Sequence, residues 1–261
     1  MRANELEVEV IGAGPRILLI HGDIVGPSLT WRKQRELAER WSLIIPSRPG
    51  FGASPPLDRN DFEVEAPLFA ELLGDGGHLV GHSYGAVIAL LVAAQRPDAV
   101  RSLTVSEPGC LRVAAGTPVV DEMIANGERL FSHAENIPSE DFLKLFRGGA
   151  GSAYNTPEQL PEELLRGVEL LKRERPSWEA EIPLAELADA AFPILVLSGG
   201  HSPAFEAVCD SLAGAVSAER AVIPGRGHTV PSTGGPYNER LGAFLSEAEI
   251  SRSAKGESGP A

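Results

Sequence analysis

Ser83 stands between two glycines in Gly81-His82-Ser83-Tyr84-Gly85, with the apolar run His78-Leu79-Val80 before it and an apolar stretch from Ala86 to Ala94 after it. A serine hydroxyl becomes a nucleophile toward a carbonyl carbon when an imidazole within hydrogen-bond reach accepts its proton. Gly-x-Ser-x-Gly at a strand-to-helix junction forms a sharp turn that lifts the hydroxyl above a sheet. Glycine on both flanks removes the Cβ atoms that would collide in so tight a bend. Three fixed positions in five also occur in ordinary glycine-rich turns, so the flanking elements and the partner residues carry the reading.

Six histidines are available as the base. His21, His78 and His82 belong to strands or turns near the serine, His133 lies in a helical region, and His201 follows the penultimate strand. His228 is the strongest candidate. It occupies the loop Pro224-Gly225-Arg226-Gly227-His228-Thr229 between the last strand and the last helix, where glycines let the ring lean over the sheet edge. The plainer alternative for a loop histidine is a solvated side chain.

The elements that must position these residues alternate along the chain. Leu6, Val8 and Val10 read as a half-exposed strand; Ile17 to Ile20, Leu43 to Ile45, His78 to Val80, Leu103 to Val105, Ile194 to Leu197 and Ala221 to Ile223 follow. Short continuous apolar runs of this kind read as buried parallel strands. Helical spacing lies between them, as in Trp31, Gln34, Leu37, Ala38 and Trp41, or Phe205, Val208, Cys209 and Leu212. The pattern predicts an α/β fold, a doubly wound, mostly parallel sheet covered on both faces. From Leu111 to Ala188 only helical patterns occur, which predicts a helical cap (111–188) over a core built from 1–110 and 189–250; a second helical layer is the alternative. The small, polar tail 251–261 is expected to be disordered.

A net charge of −13 argues against nucleic acid and anionic membrane surfaces as partners, and 43% apolar content over 261 residues suits one globular domain. No stretch approaches the ~20 apolar residues of a membrane span, and the first residues lack a signal-peptide core, so a cytoplasmic protein is expected. Cys110 and Cys209 are too few for a disulfide framework and show no metal-ligand spacing. No Gly-x-x-x-x-Gly-Lys phosphate loop is present, and neither metal nor cofactor is expected.

His21-Gly22, Arg48-Pro49-Gly50-Phe51-Gly52-Ala53-Ser54, the pentapeptide around Ser83, and Gly227-His228 stand in an order and at spacings that resemble the α/β-hydrolase superfamily, in its capped, serine-nucleophile, esterase- and lipase-like branch. The resemblance runs from about Leu6 to Leu245. It implies an eight-stranded, mostly parallel sheet with the cap inserted after the sixth strand, although this chain lacks room for the full set of leading strands. It also implies hydrolysis of an ester or related carbonyl through an acyl-enzyme on Ser83, with a small-molecule substrate in a pocket under the cap. Branches that cleave carbon–carbon bonds or act as cofactor-free perhydrolases use the same residues, and some members are non-catalytic small-ligand-binding proteins. Serine at the elbow argues against the dehalogenase and epoxide hydrolase branches, which need aspartate there.

The acid departs from the family's commonest pattern. The turn after Ile194 to Leu197 reads Gly199-Gly200-His201-Ser202-Pro203, with Ser202 where aspartate is expected. Glu107 ends the neighbouring strand, at a place where some family members carry their acid, and is the expected partner of His228; Asp210 is the weaker alternative. The fold implies oxyanion donors from the backbone N–H of Tyr84 and of Asp23, or of Ile24 if the loop shifts. A carboxylate at Asp23 would oppose an oxyanion unless protonated, turned away or bonded to Arg48 or Ser28. The plain expectation is that Asp23 faces outward, and the sharper one that it reads a polar or cationic substrate group. Arg48 is expected to tie neighbouring loops together.

Overall fold

Each apolar run becomes a strand: β1 (Val8–Ile11), β2 (Arg16–Ile20), β3 (Ser42–Pro46), β4 (Gly77–His82), β5 (Val100–Ser106), β6 (Ile194–Ser198) and β7 (Glu219–Val222). These belong to a computed structural model in which residues 1–149 and 160–256 are described. The strands form one sheet in the order β1-β3-β2-β4-β5-β6-β7. β1 pairs with β3 antiparallel, and all other pairings are parallel. β4 and β6 are buried along their whole length, whereas the edge strands β1 and β7 contain no buried residue. That contrast explains why the central strands read as unbroken apolar runs and the first as an alternation.

The helices are α1 (Pro27–Thr30), α2 (Phe62–Leu73), α3 (Tyr84–Gln95), α4 (Pro118–Phe131), α5 (Ser139–Gly149), α6 (Glu162–Leu171), α7 (Leu184–Ala188), α8 (Pro203–Ala215) and α9 (Gly235–Gly256). One apolar layer joins α2, α3 and α8 through Phe69, Ile88 and Val208 to the sheet residues Leu79 and Val196. The other packs Trp31, Trp41, Tyr237 and Leu241 against Leu19, Val80 and Leu197. The sheet is therefore wound on both faces. α3 is buried continuously from Tyr84 to Leu90, so no polar stripe was needed along it.

Between β5 and β6 the described residues hold helices and turns but no strand. Phe142 and Leu143 of α5 and Val168 and Leu171 of α6 form a small core of their own, which also encloses Ile24 from the loop after β2. Residues 150–159 of the expected cap lie outside the described residues.

Two expectations are corrected. Among the described residues the sheet has seven strands rather than eight, and the helical insertion follows the fifth strand rather than the sixth, because five strands, β1 to β5, precede it. The tail expected to be disordered from Ser251 is helical through Gly256, since α9 continues with the Ser253 hydroxyl donating to the Glu249 carbonyl and Arg252 beside Glu249. Residues 257–261 lie outside the described residues. Among the described residues, no helix is long and apolar enough to cross a membrane.

Candidate active site

The chemistry-bearing residues gather where parallel strands end, the edge at which α/β sheets place their ligands. β4 ends at His82 and α3 begins at Tyr84, so Ser83 alone turns the chain, at φ 56° and ψ −119°. A Cβ at Gly81 would lie 2.5 Å from the Gly85 carbonyl oxygen, and one at Gly85 would lie 2.3 Å from that of Ile20. Only glycine fits either position. The Ser83 N–H donates to the Ser106 carbonyl at 2.9 Å, which anchors the strained turn to β5.

Glu107 follows β5 with φ 48°, and its side chain is fully buried. One carboxylate oxygen accepts the Gly199 N–H at 2.6 Å; the other lies 3.2 Å from His228 Nδ1. His228 Nε2 lies 2.9 Å from Ser83 Oγ. With the proton on Nδ1, the ring donates to Glu107 and accepts from the serine hydroxyl. Burial alone would raise the Glu107 pKa, but the His228 hydrogen bond and charge, the Gly199 N–H and the nearby His201 outweigh it and hold the carboxyl below its ordinary value.

The structure thus brings Ser83, His228 and Glu107 together. Asp210 is turned away, paired with Arg220 at 2.9 Å on an exposed face of α8. Ser202 stands at the N-terminal boundary of α8 and makes no side-chain cap hydrogen bond. Of the other histidines, His78 is buried against the Ser102 hydroxyl at 2.7 Å, and His133 is exposed in the cap. His201 stacks on Phe205 and reaches within 3.6 Å of Glu107. His82, inside the pentapeptide, donates from Nε2 to the His228 carbonyl at 2.8 Å and so ties the elbow to the histidine loop.

Gly22 lets the loop after β2 approach the elbow, since a Cβ there would lie 2.9 Å from Ser83 Cβ. Among the described residues, the backbone N–H groups of Tyr84, Asp23 and Ile24 have no hydrogen-bond acceptor in the protein. The expectation that the Asp23 side chain faces outward is corrected. Its carboxylate turns inward to Arg48 Nη1 at 3.0 Å and is only 10% exposed, because a fully buried guanidinium lies beneath it.

Arg48 also binds Glu65 and Glu174, two residues that sequence reasoning did not single out. The signal for Glu65 was there: it shares the apolar face of α2 with Phe62, Ala66 and Phe69, where a carboxylate demands a buried partner. Glu174 offers no such pattern.

Above Ser83 opens a cavity of about 630 Å³. Ser83, His228 and Asp23 reach it from below, and Leu111, Met123, Leu130, Phe146, Trp178 and Phe205 give it apolar walls. Among the described residues, Arg129 and Lys144 are the charged side chains that the cap helices bring to this cavity.

Residues 17–239 match the sequence model of the Alpha/beta hydrolase family, and the chain belongs to that family. It is 37% identical over 166 residues to the pimeloyl-[acyl-carrier protein] methyl ester esterase of Chromobacterium violaceum, a match spanning 61% of this chain and 64% of that protein, less than two thirds of its length. It is 31% identical over 187 residues to the protein of that name in Methylococcus capsulatus, covering 64% of this chain and 71% of the relative. An alpha/beta hydrolase of Sphaerobacter thermophilus superposes with a TM-score of 0.65 at 22% identity, over 92% of this chain and 95% of that one, which shows the shared fold.

Proposed function

We propose that the protein is a serine esterase in which Ser83 is the nucleophile, His228 the general base and acid, and Glu107 the residue that orients and stabilises the imidazolium. The observation that carries this reading is the continuous contact from Ser83 Oγ through His228 to the buried Glu107 carboxylate. Ser83 Oγ attacks the ester carbonyl as its proton passes to Nε2. The N–H groups of Tyr84 and Asp23 stabilise the oxyanion; a donor of this kind contributes ~3 kcal/mol in the transition state. His228 then gives its proton to the departing alcohol, and water activated by the same nitrogen releases the acyl group from Ser83. The reaction needs no cofactor.

The substrate is a small molecule held under the cap. Apolar walls around a cavity of about 630 Å³ suit an ester with an aliphatic portion of several carbons. Relatives named for cleaving a methyl ester support an ester whose alcohol is small.

A series of 4-nitrophenyl esters from acetate to decanoate tests the reading. Turnover peaking at intermediate chain length, and abolished by Ser83→Ala, is expected. A folded protein that hydrolyses none of them and still binds an aliphatic carboxylic acid would be a ligand-binding member of the family instead.

A further inference from the structure

Arg48 is completely buried at the end of β3 and faces three carboxyl groups. Glu65 takes the guanidinium through both oxygens, at 2.8 and 3.0 Å. Asp23 lies at 3.0 Å and Glu174 at 3.3 Å. Two further contacts connect this cluster to the oxyanion donors. Arg48 Nη1 donates to the Gly22 carbonyl at 3.0 Å, and the guanidinium carbon lies 4.1 Å from the centre of the Tyr84 ring.

The Gly22 carbonyl and the Asp23 N–H belong to one planar peptide group and point in opposite directions. Whatever fixes that oxygen therefore aims that N–H. Two donors fix it: Arg48 Nη1, and His21 Nδ1 at 2.9 Å, whose ring accepts the Arg48 N–H on its other nitrogen at 3.0 Å. Burial and the Arg48 charge keep His21 neutral by lowering its pKa well below the ordinary value, in agreement with that pattern.

Glu174 brings the cap into the arrangement. It follows α6 and meets Arg48 Nη2 at 3.3 Å, on the same guanidinium whose Nη1 holds the Asp23 carboxylate at 3.0 Å. α6 itself presses on the same loop, since a Cβ at Gly167 would lie 1.8 Å from the Ile24 carbonyl oxygen. Ile24 has φ 68°, a conformation that a β-branched residue adopts only when its surroundings impose it.

We propose that Glu174 is a positioning residue that couples the cap to the oxyanion hole, locking the Gly22–Asp23 peptide through Arg48 and through a hydrogen bond donated to Asp23. This rests on the esterase reading above. Three ionised carboxylates around one guanidinium would leave two uncompensated negative charges in the interior, a costly arrangement. A proton on Glu174 relieves it and supplies the hydrogen atom shared with Asp23. Burial, then the charge of Asp23, push the Glu174 pKa well above the ordinary carboxyl value, against the pull of Arg48. The titratable and charged groups that face Glu174 are Asp23, Arg48, Glu65 and the Tyr84 hydroxyl, and the last is itself pushed upward by burial. As pH rises and Glu174 loses its proton, two adjacent carboxylates repel and the loop loses its lock. kcat then falls while KM stays nearly constant, because the N–H acts on the oxyanion more than on the bound ester.

The test compares Glu174→Ala and Glu174→Gln with the wild-type enzyme on one 4-nitrophenyl ester, from about pH 5 to about pH 10. Glu174→Ala is expected to lower kcat roughly tenfold or more with KM changed less than about twofold. Glu174→Gln still donates an N–H to Asp23, so it restores most of that loss and removes the alkaline fall in kcat. Infrared difference spectra of Ser83→Ala should show the carbonyl band of a buried neutral carboxylic acid at neutral pH, and the added Glu174→Gln change should remove it. An unchanged kcat in Glu174→Ala, an alkaline fall that persists in Glu174→Gln, or absence of the band overturns the proposal. Because the infrared experiment needs no turnover, a protein with the band but no esterase activity would refute the esterase reading alone.

Discussion

The Glu107 carboxylate is shared between His228 Nδ1, at 3.2 Å from one oxygen, and the Gly199 N–H, at 2.6 Å from the other. The backbone bond anchors the carboxylate to Gly199, just after β6, beside the histidine. Glu107→Gln keeps the shape but loses the negative charge beside His228, which the proposed mechanism uses to stabilise an imidazolium. It should lower kcat by ~10²–10⁴-fold with little change in KM. Because the folded-state pKa of Glu107 is depressed, its contribution to stability is present above the unfolded carboxyl value and lost as pH falls through the folded one. Urea titrations toward low pH should therefore show a shallower acid loss in Glu107→Gln than in the wild type.

His82 predicts a second pH dependence, of opposite chemical origin. Burial, then the His228 charge, lower its pKa from 6.5 to about 4, so it stays neutral in the folded protein while the unfolded chain takes up a proton. Stability from this source rises with pH across that window and is lost as pH drops from 6.5 toward about 4. The shift corresponds to on the order of 3 kcal/mol. His82→Gln should remove that part of the acid sensitivity and still donate to the His228 carbonyl. Chemical denaturation at neutral and acidic pH measures the difference directly.

Trp178 lines the cavity above Ser83. Its ring packs edge-on against Phe131 at 5.1 Å between centroids and lies so near Gly127 that a Cβ there would approach it to 2.7 Å. Trp178→Leu opens space beside Ser83 and should move the preferred acyl chain toward greater length. A chain-length profile identical to that of the wild type would show that the wall facing the ester lies elsewhere.

The sheet was legible because its central strands are buried on both faces and so are continuously apolar, as in Leu79-Val80 and Leu195-Val196-Leu197. α2 was missed although Asp61 caps it through the Glu63 N–H, because Pro67 and three glutamates obscure its apolar face. The extension of α9 past Ser251 was missed for the reverse reason: its stabilising contacts are local and polar, and composition read them as solvated. The turn at Ser83 and the loop carrying His228 were readable from glycine placement, since backbone constraints are written locally. Glu107 needed the resemblance, because which strand end supplies an acid is a matter of topology. The Arg48 cluster was only half visible. Arg48, Asp23, Glu65 and Glu174 come from four separate segments, and only the fold puts their charges in contact.

The central claim, that Ser83 is a nucleophile activated by His228, is tested most directly by reaction with a fluorophosphonate read by intact mass and peptide mapping. One adduct per chain, on Ser83, is predicted, absent in Ser83→Ala and formed far more slowly in His228→Ala. A folded wild-type protein that gains no adduct, or gains one on another residue, would contradict it.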